Sequence, residues 1–312
     1  MQKHIDNKQI KRYYSFSDYL KQTFGEKVYK LSLDIGLTCP NRDGTKGTRG
    51  CIFCSEGGSG DFAEKCDLDI NKAIEKAKSR IKQKTDATKF IAYFQSYTNT
   101  YGKTEYLEKV FTQATKRDDI VAISIATRPD CLEDDKINLI KNLCKIKPVF
   151  IELGLQTVHE ETARFIRRAY PLSTFDEAIE KLKDTGAKTV VHLILGLPYE
   201  SEEMMLESVK YVANKKVDGI KLQLLHVLKN TDLAQLYLNE NFKTLSQEEY
   251  INLLAKCIEV LPKNTVVHRL TGDAPKKILL APQWSANKKQ VLNAITKYFN
   301  LYDVMQGKNF NP

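Results

Sequence analysis

Residues 31–62 read LSLDIGLTCPNRDGTKGTRGCIFCSEGGSGDF, and this stretch indicates both a fold class and a chemistry. Its first five residues, LSLDI, read as a β-strand. The long polar loop that follows carries Cys39, Cys51 and Cys54, spaced C-x11-C-x2-C, and then a glycine-rich segment. Chemistry placed directly after a strand is typical of the carboxyl edge of a parallel α/β sheet.

Similar β-rich runs recur along the chain, and most of them are nearly continuous in apolar residues, as expected for strands buried on both faces. They begin near Leu31, Phe90, Ile120, Val149, Val190, Gly219 and Thr265. Helical patterns separate them, at 67–83, 104–117, 133–144, 174–185 and 201–214. Six such strand–helix units predict parallel strands, in either a partial barrel or an open doubly wound sheet. The second is less favoured because no glycine-rich dinucleotide fingerprint follows any strand.

The sequence also predicts a helix cap and an extension at each end of the barrel. Ser173 or Thr174 is expected to cap the helix that ends before Gly186. Residues 1–28 form a basic and aromatic N-terminal extension, residues 29–272 the α/β barrel, and residues 273–312 a helical C-terminal extension. Within the first extension, residues 15–24 fit an amphipathic helix closed by Gly25, but the same mixture of cations and aromatics fits an RNA contact.

The composition excludes several classes of protein. The chain has 312 residues, 42% of them hydrophobic, and a net charge of +9, which argues against a disordered or collagen-like protein. No apolar run approaches the ~18 residues that cross a bilayer, and the N-terminus lacks the apolar segment of a signal peptide, so a cytoplasmic location is expected. The positive charge permits a nucleic-acid partner without requiring one.

The cysteines point to a metal rather than to disulfides, because seven is an odd number and no secretion signal is visible. Cys39, Cys51 and Cys54 could hold three irons of a [4Fe–4S] cluster with the fourth iron open to a ligand. Alternatively, Cys66 joins them in a tetrahedral zinc site, although the chain has only one C-x2-C step in this region. Cys131, Cys144 and Cys257 stand alone and are expected to pack in the core.

These motifs resemble the radical S-adenosylmethionine (SAM) superfamily over roughly residues 30–270. The resemblance rests on Cys39-Pro40, on Cys51-Ile-Phe-Cys54 with Gly57-Gly58 after it, and on the strand-end motifs 152–156 and 196–200. The wide gap before Cys51 is similar to that in the branch containing the Elongator catalytic subunit. It implies a partial (β/α)6 barrel that holds a [4Fe–4S] cluster and SAM. Reductive cleavage of SAM would give a 5′-deoxyadenosyl radical that abstracts hydrogen from the substrate.

The resemblance also implies roles for individual residues. Phe53 would lie near the adenine of SAM, Gly57 and Gly58 near its methionine amino group, and Glu152 and Gln156, at the end of their strand, near its ribose or amino-acid part. An arginine would pair with the SAM carboxylate, and Arg168 is favoured over Arg167.

Two residues are candidates for catalysis on the substrate. Tyr97 lies in the polar segment 95–102 after the second strand, and it is favoured for proton or hydrogen-atom transfer. His226 follows the sixth strand, where side chains reach the site, whereas a histidine inside a strand, such as His192, is more often a core residue. Arg128, after the third strand, could bind an anion.

By the Elongator resemblance, the expected function is tRNA modification at the C5 substituent of a wobble uridine, such as a carboxymethylaminomethyl-type group. The implied partners are tRNA and an electron donor such as flavodoxin or ferredoxin, with no membrane. The acetyltransferase domain of the Elongator subunit has no counterpart in 312 residues, so acetyl-CoA chemistry is not expected. Two alternatives remain: a radical SAM enzyme for a small molecule such as a porphyrin, and a zinc-stabilised RNA-binding protein without catalysis.

Overall fold

A computed structural model describes residues 11–58, 60–66 and 69–311. Its main sheet has eight strands, and every neighbouring pair is parallel. In spatial order the strands are β2 (Glu64–Lys65), β1 (Val28–Asp34), β3 (Lys89–Phe94), β4 (Ile120–Thr127), β5 (Val149–Gln156), β6 (Lys188–Leu195), β7 (Gly219–Leu224) and β9 (Val266–Arg269). The order confirms the predicted partial barrel of an α/β protein.

The described residues also form ten α-helices, a small second sheet and two 3-10 turns. The helices are α1 (Phe16–Phe24), α2 (Ile70–Ile81), α3 (Thr104–Thr115), α4 (Asp134–Cys144), α5 (Glu160–Phe165), α6 (Leu172–Lys183), α7 (Glu202–Asn214), α8 (Asp232–Leu238), α9 (Gln247–Glu259) and α10 (Lys288–Leu301). The second sheet pairs β8 (Val227–Leu228) with β10 (Leu279–Ala281) in antiparallel fashion. No helix in this part of the chain is long and apolar enough to span a membrane.

The two faces of the sheet pack against different parts of the protein, because side chains alternate along each strand. Leu31 and Leu33 of β1 belong to the same buried cluster as Ile70 and Ile74 of α2, so this face packs on the helices. The other face lines the inside of the barrel. At the amino ends of the strands that face is apolar, and its residues are Ile91, Ala122, Phe150 and Val190.

Helix α1 closes this apolar end of the barrel. Ser15 caps it through a hydrogen bond from the backbone N–H of Asp18, and Gly25 ends it in the left-handed conformation, as the sequence predicts. Leu20 is 5% exposed and packs among the inner residues of the strands. Phe16 stacks on His268 with ring centroids 3.9 Å apart, and Tyr19 meets Phe150 edge-on. The predicted amphipathic helix is therefore present, and the rings of Phe16 and Tyr19 pack against the inner residues of the strands.

Several local predictions are wrong. Neither Ser173 nor Thr174 caps α6, because the helix starts two residues earlier, after Pro171. The C-terminal region is not wholly helical, since β10 lies within it. Helices α5, α8 and α9 and the short strands β2, β8 and β10 were not expected from the apolar pattern.

Candidate active site

The cysteine loop follows β1 and is fixed by side chains from several elements. Asn41 Nδ2 donates to the carbonyl oxygen of Arg167 at 2.7 Å and approaches Cys51 Sγ at 3.5 Å. Arg42 Nη2 donates to the carbonyl oxygens of Cys54 and Ser55, at 3.2 and 2.6 Å. These contacts hold the thiols of the loop against the rim of the barrel.

The surroundings of Cys51 favour a thiolate. A hydrogen bond from Cys54 lowers the pKa of Cys51 to about 7, against the effect of burial, and Arg128 and Asn41 act in the same direction. The pKa of Cys54 is raised well above its usual value, because it donates that hydrogen bond and because it is buried. A thiolate is the form of cysteine that binds iron or zinc.

The thiol arrangement fits a cluster better than a single ion. In the described residues, no group of three or more His, Cys, Asp or Glu side chains could hold one metal ion. A tetrahedral zinc site needs its ligands to converge on one point, whereas each thiolate of a [4Fe–4S] cluster binds a different iron. Cys39, Cys51 and Cys54 line one cavity, while Cys66 packs against the helix-side core. The four-cysteine zinc site is therefore not formed.

One cavity of about 1280 Å³ extends from the cysteine loop down the inside of the barrel. Of the residues predicted for the site, all but Gly57 line it: Cys39, Cys51, Phe53, Cys54, Gly58, Tyr97, Glu152, Gln156, Arg168 and His226. The structure thus brings together side chains from several strands and the loops that follow them. What each one binds stays a prediction.

Two of these residues carry buried polar atoms without a partner. Gln156 ends β5 in the left-handed conformation (φ 72°), and its Oε1 is buried without a hydrogen bond. His226 lies just after β7, and its Nε2 is also buried without one. Burial lowers the pKa of His226 to about 4, so the ring is neutral near pH 7. Because such atoms usually have partners, both positions fit contacts to a bound ligand.

The glycine pair is also required by packing within the loop, while its predicted contact with SAM stays a prediction. Gly58 has φ 54°, and a Cβ built there would lie 2.2 Å from Cδ1 of Tyr97. The close approach is thus to the Tyr97 ring, whose hydroxyl donates to the carbonyl oxygen of Glu56. A Cβ at Gly57 would meet Asp61 Oδ1 at 2.9 Å. Tyr97 therefore supports the loop, and its role in hydrogen transfer stays a prediction.

Arg168 lines the cavity, and its side chain has several partners within the protein. It is 1% exposed, and its guanidinium donates to the carbonyl oxygens of Leu155, Thr157 and Tyr170 and to the carboxylate of Glu160. Its pairing with the SAM carboxylate stays a prediction. The competing choice, Arg167, is paired with Asp232 and donates to the carbonyl oxygen of Gly50 at 3.3 Å.

The expected strand-end position of Glu152 is wrong. It is the fourth of eight residues in β5, so it lies about 13 Å below the strand's end at ~3.3 Å per residue. Its Oε1 accepts from Lys30 Nζ and from Ser124 Oγ, both at 2.6 Å. Its Oε2 lies against Lys221 Nζ and 2.8 Å from His192 Nε2.

We call Lys30, Ser124, Glu152, His192 and Lys221 the deep polar layer. Burial by itself raises the pKa of Glu152, but Lys221 and Lys30 hold it well below its usual range. Sequence reasoning missed both lysines, although a lysine inside an apolar strand such as GIKLQL was a visible signal.

Comparison with known proteins agrees with this geometry. The profile of the radical SAM superfamily matches residues 43–212, and that of the radical SAM C-terminal domain matches residues 217–300. The chain is 44% identical to YtqA of Bacillus subtilis over 300 residues, covering 96% of this chain and 93% of that protein. It is 28% identical to the tRNA uridine(34) acetyltransferase of Methanocaldococcus jannaschii, over 51% of this chain but only 30% of that protein.

Among solved structures, the Elp3 protein of Methanocaldococcus infernus superposes with a TM-score of 0.67 at 18% identity, covering 89% of this chain and 64% of that one. At 18% identity, this similarity shows that the two proteins share a fold.

The chain belongs to the radical SAM superfamily. Members of this superfamily use a [4Fe–4S] cluster and SAM, and this protein is an enzyme of that class. The unpartnered Gln156 and His226 atoms and the three thiols fit these two groups in the cavity.

Proposed function

We propose that this protein modifies tRNA, acting on the C5 substituent of a wobble uridine, for instance a carboxymethylaminomethyl-type group. The observation that carries the proposal is the lining of the cavity. It brings ten lysine and arginine side chains and the three cysteines together with four carboxylates, those of Asp61, Glu64, Glu152 and Asp273, and two further carboxylates, Asp130 and Glu160, pair with arginines of this lining. Such an excess of positive charge suits a polyanion that must deliver one nucleotide to a buried site.

Exposed aromatic side chains near the opening support the same proposal. Phe62 lines the cavity just after the glycine pair and is 56% exposed. Tyr199, which follows β6, is 67% exposed and packs edge-on against Phe165. Unstacked bases of single-stranded RNA stack on such rings, and a base reaches a deep pocket only after leaving its stack.

The residues of the chain have separate tasks in this proposal. Cys39, Cys51 and Cys54 would hold the cluster, and Phe53, Gln156 and the backbone at Gly58 would position SAM. When bound, these groups supply a carbon radical that removes a hydrogen atom from the substrate. Tyr97 and the neutral His226 are the nearest candidates for passing a proton or a hydrogen atom to the product.

Related sequences support tRNA as the substrate class, since one relative is named for its action on tRNA uridine(34). The test is mass spectrometry of nucleosides from the tRNA of cells lacking the protein. We expect a wobble uridine precursor to accumulate and the mature nucleoside to fall, with rescue by the wild-type gene but not by Cys51→Ala. An unchanged nucleoside profile would contradict the proposal and favour a small-molecule substrate.

A further inference from the structure

The deep polar layer holds more positive than negative charge. Lys30 and Lys221 share the single carboxylate of Glu152, and Lys221 is only 4% exposed. His192 does not add a charge near neutral pH, because burial lowers its pKa to about 4. With both lysines protonated, the layer has one more positive than negative charge; because burial lowers the pKa of Lys221 to about 7, this charge is only partly present at neutral pH.

A similar excess of positive over negative charge occurs at β9, the strand next to β7. Arg269, at the end of β9, is 3.3 Å from Asp273, but the same carboxylate also accepts from Lys288 at 2.7 Å. All three residues line the same cavity as the deep polar layer. Four basic side chains that line the cavity thus share two carboxylates.

A buried charge without a partner is costly, and burial lowers the pKa of Lys221 to about 7 although Glu152 opposes this effect. A second anion in the layer would remove that cost. The lysine ammonium groups lie over the ring of Tyr93, at 4.6 and 4.7 Å from its centroid, which holds both in place facing the cavity.

Depth restricts which part of a nucleotide can reach this layer. Glu152 lies about 13 Å below the end of β5, whereas the cysteine loop lies at the rim. The phosphates of a bound RNA stay outside a pocket that receives an extruded base. Only the far end of the base, with any substituent on it, would come close to Lys30 and Lys221.

We infer that the deep polar layer binds a carboxylate on the substituent of the substrate nucleotide, with Lys221 and Lys30 as its partners. This inference rests on the proposed function for the identity of the molecule, and it deepens that function by naming the residues that bind the carboxylate of the substituent. The alternative is that the layer only ties β1, β5 and β7 together. The two interpretations predict different responses to substitution.

The test uses the reconstituted holoenzyme and two probes that differ only in charge, N-acetylglycine and its amide, at constant ionic strength. We expect the acid, and not the amide, to raise the thermal midpoint of the wild-type protein and to bind in calorimetry. In Lys221→Met, the acid and the amide should have the same effect on the thermal midpoint and on binding. Glu152→Gln should retain the preference for the acid, with an affinity that rises as the pH is lowered, because without the Glu152 carboxylate the lysines must take up a proton when the acid binds. Loss of the preference in one variant and its retention in the other cannot arise from general destabilisation.

Equal responses to acid and amide in all three proteins would overturn the inference. So would an acid preference that persists in Lys221→Met.

A second arm separates this inference from the proposed function. Anticodon stem-loops carrying a carboxymethylaminomethyl wobble uridine or its methyl ester, which lacks the carboxylate charge, are compared by fluorescence anisotropy. We expect the wild-type protein to prefer the acid about tenfold, and Lys221→Met to bind both alike. Binding of both RNAs without preference would refute the carboxylate site and leave the tRNA proposal standing. No RNA binding at low salt, together with a retained preference for N-acetylglycine, would refute the tRNA proposal alone.

Discussion

Three of the seven cysteines differ from the rest in what surrounds them. Cys39, Cys51 and Cys54 line the cavity, whereas Cys131 and Cys257 are buried thiols; burial raises the pKa of Cys131 to about 12 and that of Cys257 further still. Sequence spacing was sufficient to select the three, because C-x11-C-x2-C on one loop can be read without a fold. Spacing could not show the surroundings of Arg168, because its backbone acceptors lie on residues 155, 157 and 170 and become neighbours only on folding.

Alanine at Cys39, Cys51 or Cys54 should abolish the cluster. Anaerobically reconstituted wild-type protein is expected to hold about four irons per chain, and each variant well under half of that, because a cluster ligand is lost. Cys66→Ala is the matched control, since Cys66 lies on the same chain segment but packs with the helix-side core. Iron analysis measures the metal content of each variant, and loss of metal in Cys66→Ala would support the four-cysteine site instead.

His226 should make the fold sensitive to mild acid. Its pKa is about 4 in the folded protein because of burial, against ~6.5 when unfolded, so only the unfolded chain gains a proton as pH falls from 6.5 to 4. This group therefore lowers stability on acidification across that window, by up to about 1.4 kcal/mol per pH unit. His226→Asn should lose less stability than wild type between pH 7 and pH 5 in urea unfolding. Identical pH dependence of the two proteins would rule out this contribution.

At the scale of elements, the strands were predictable and the helix starts were less so. The seven apolar runs all became strands of the main sheet, because burial on both faces leaves a strong pattern. The start of α6 was missed because Pro171, which has no cap side chain, precedes the helix instead of Ser173. Short strands such as β2 are set by their pairing with β1, which no local pattern encodes.

The glycine pair after the cysteines should tolerate no side chain at its second position. Gly58→Ala would drive a Cβ to within 2.2 Å of the Tyr97 ring and displace the loop. We expect iron content and SAM binding, measured by equilibrium dialysis, both to fall several-fold. Gly44→Ala is the control, since Gly44 also has positive φ in the same loop but a Cβ there would have no neighbouring atom within 4 Å. Equal losses in the two variants would point to backbone strain rather than to the Tyr97 contact.

Helix α1 should contribute to the stability of the folded barrel. Leu20→Ala removes a side chain that packs among the inner residues of the strands, and such a change costs about 2–4 kcal/mol. Thr23→Ala, on the exposed face of the same helix, should change stability by under ~0.5 kcal/mol. Urea unfolding at pH 7 measures both, and a small effect at Leu20 would mean that α1 is not part of the folded core.

At the scale of the whole molecule, the net charge of +9 becomes informative only through its location. Arg49, in the cysteine loop, is 68% exposed and pairs with Asp232, while Lys27, just before β1, is 61% exposed and pairs with Asp86. The two cations are similar in exposure and pairing but lie towards opposite ends of the barrel. Composition alone could not distinguish them, since it does not report where a charge lies.

Arg49→Ala should weaken tRNA binding several-fold and reduce the dependence of the binding constant on salt, because a phosphate contact near the opening is lost. Lys27→Ala should leave both quantities unchanged. Filter binding of tRNA over a series of salt concentrations gives both values. Equal effects of the two substitutions would indicate non-specific attraction rather than docking at the cavity.

The most direct measurement follows SAM cleavage in the presence of tRNA. Reconstituted protein, SAM and a chemical reductant are combined with tRNA from cells lacking the protein or with tRNA from wild-type cells, and 5′-deoxyadenosine is quantified. The account predicts that the first tRNA raises 5′-deoxyadenosine formation several-fold over the second and over no RNA, with a matching change at the wobble uridine. Formation at the same rate with either tRNA and without RNA would contradict it.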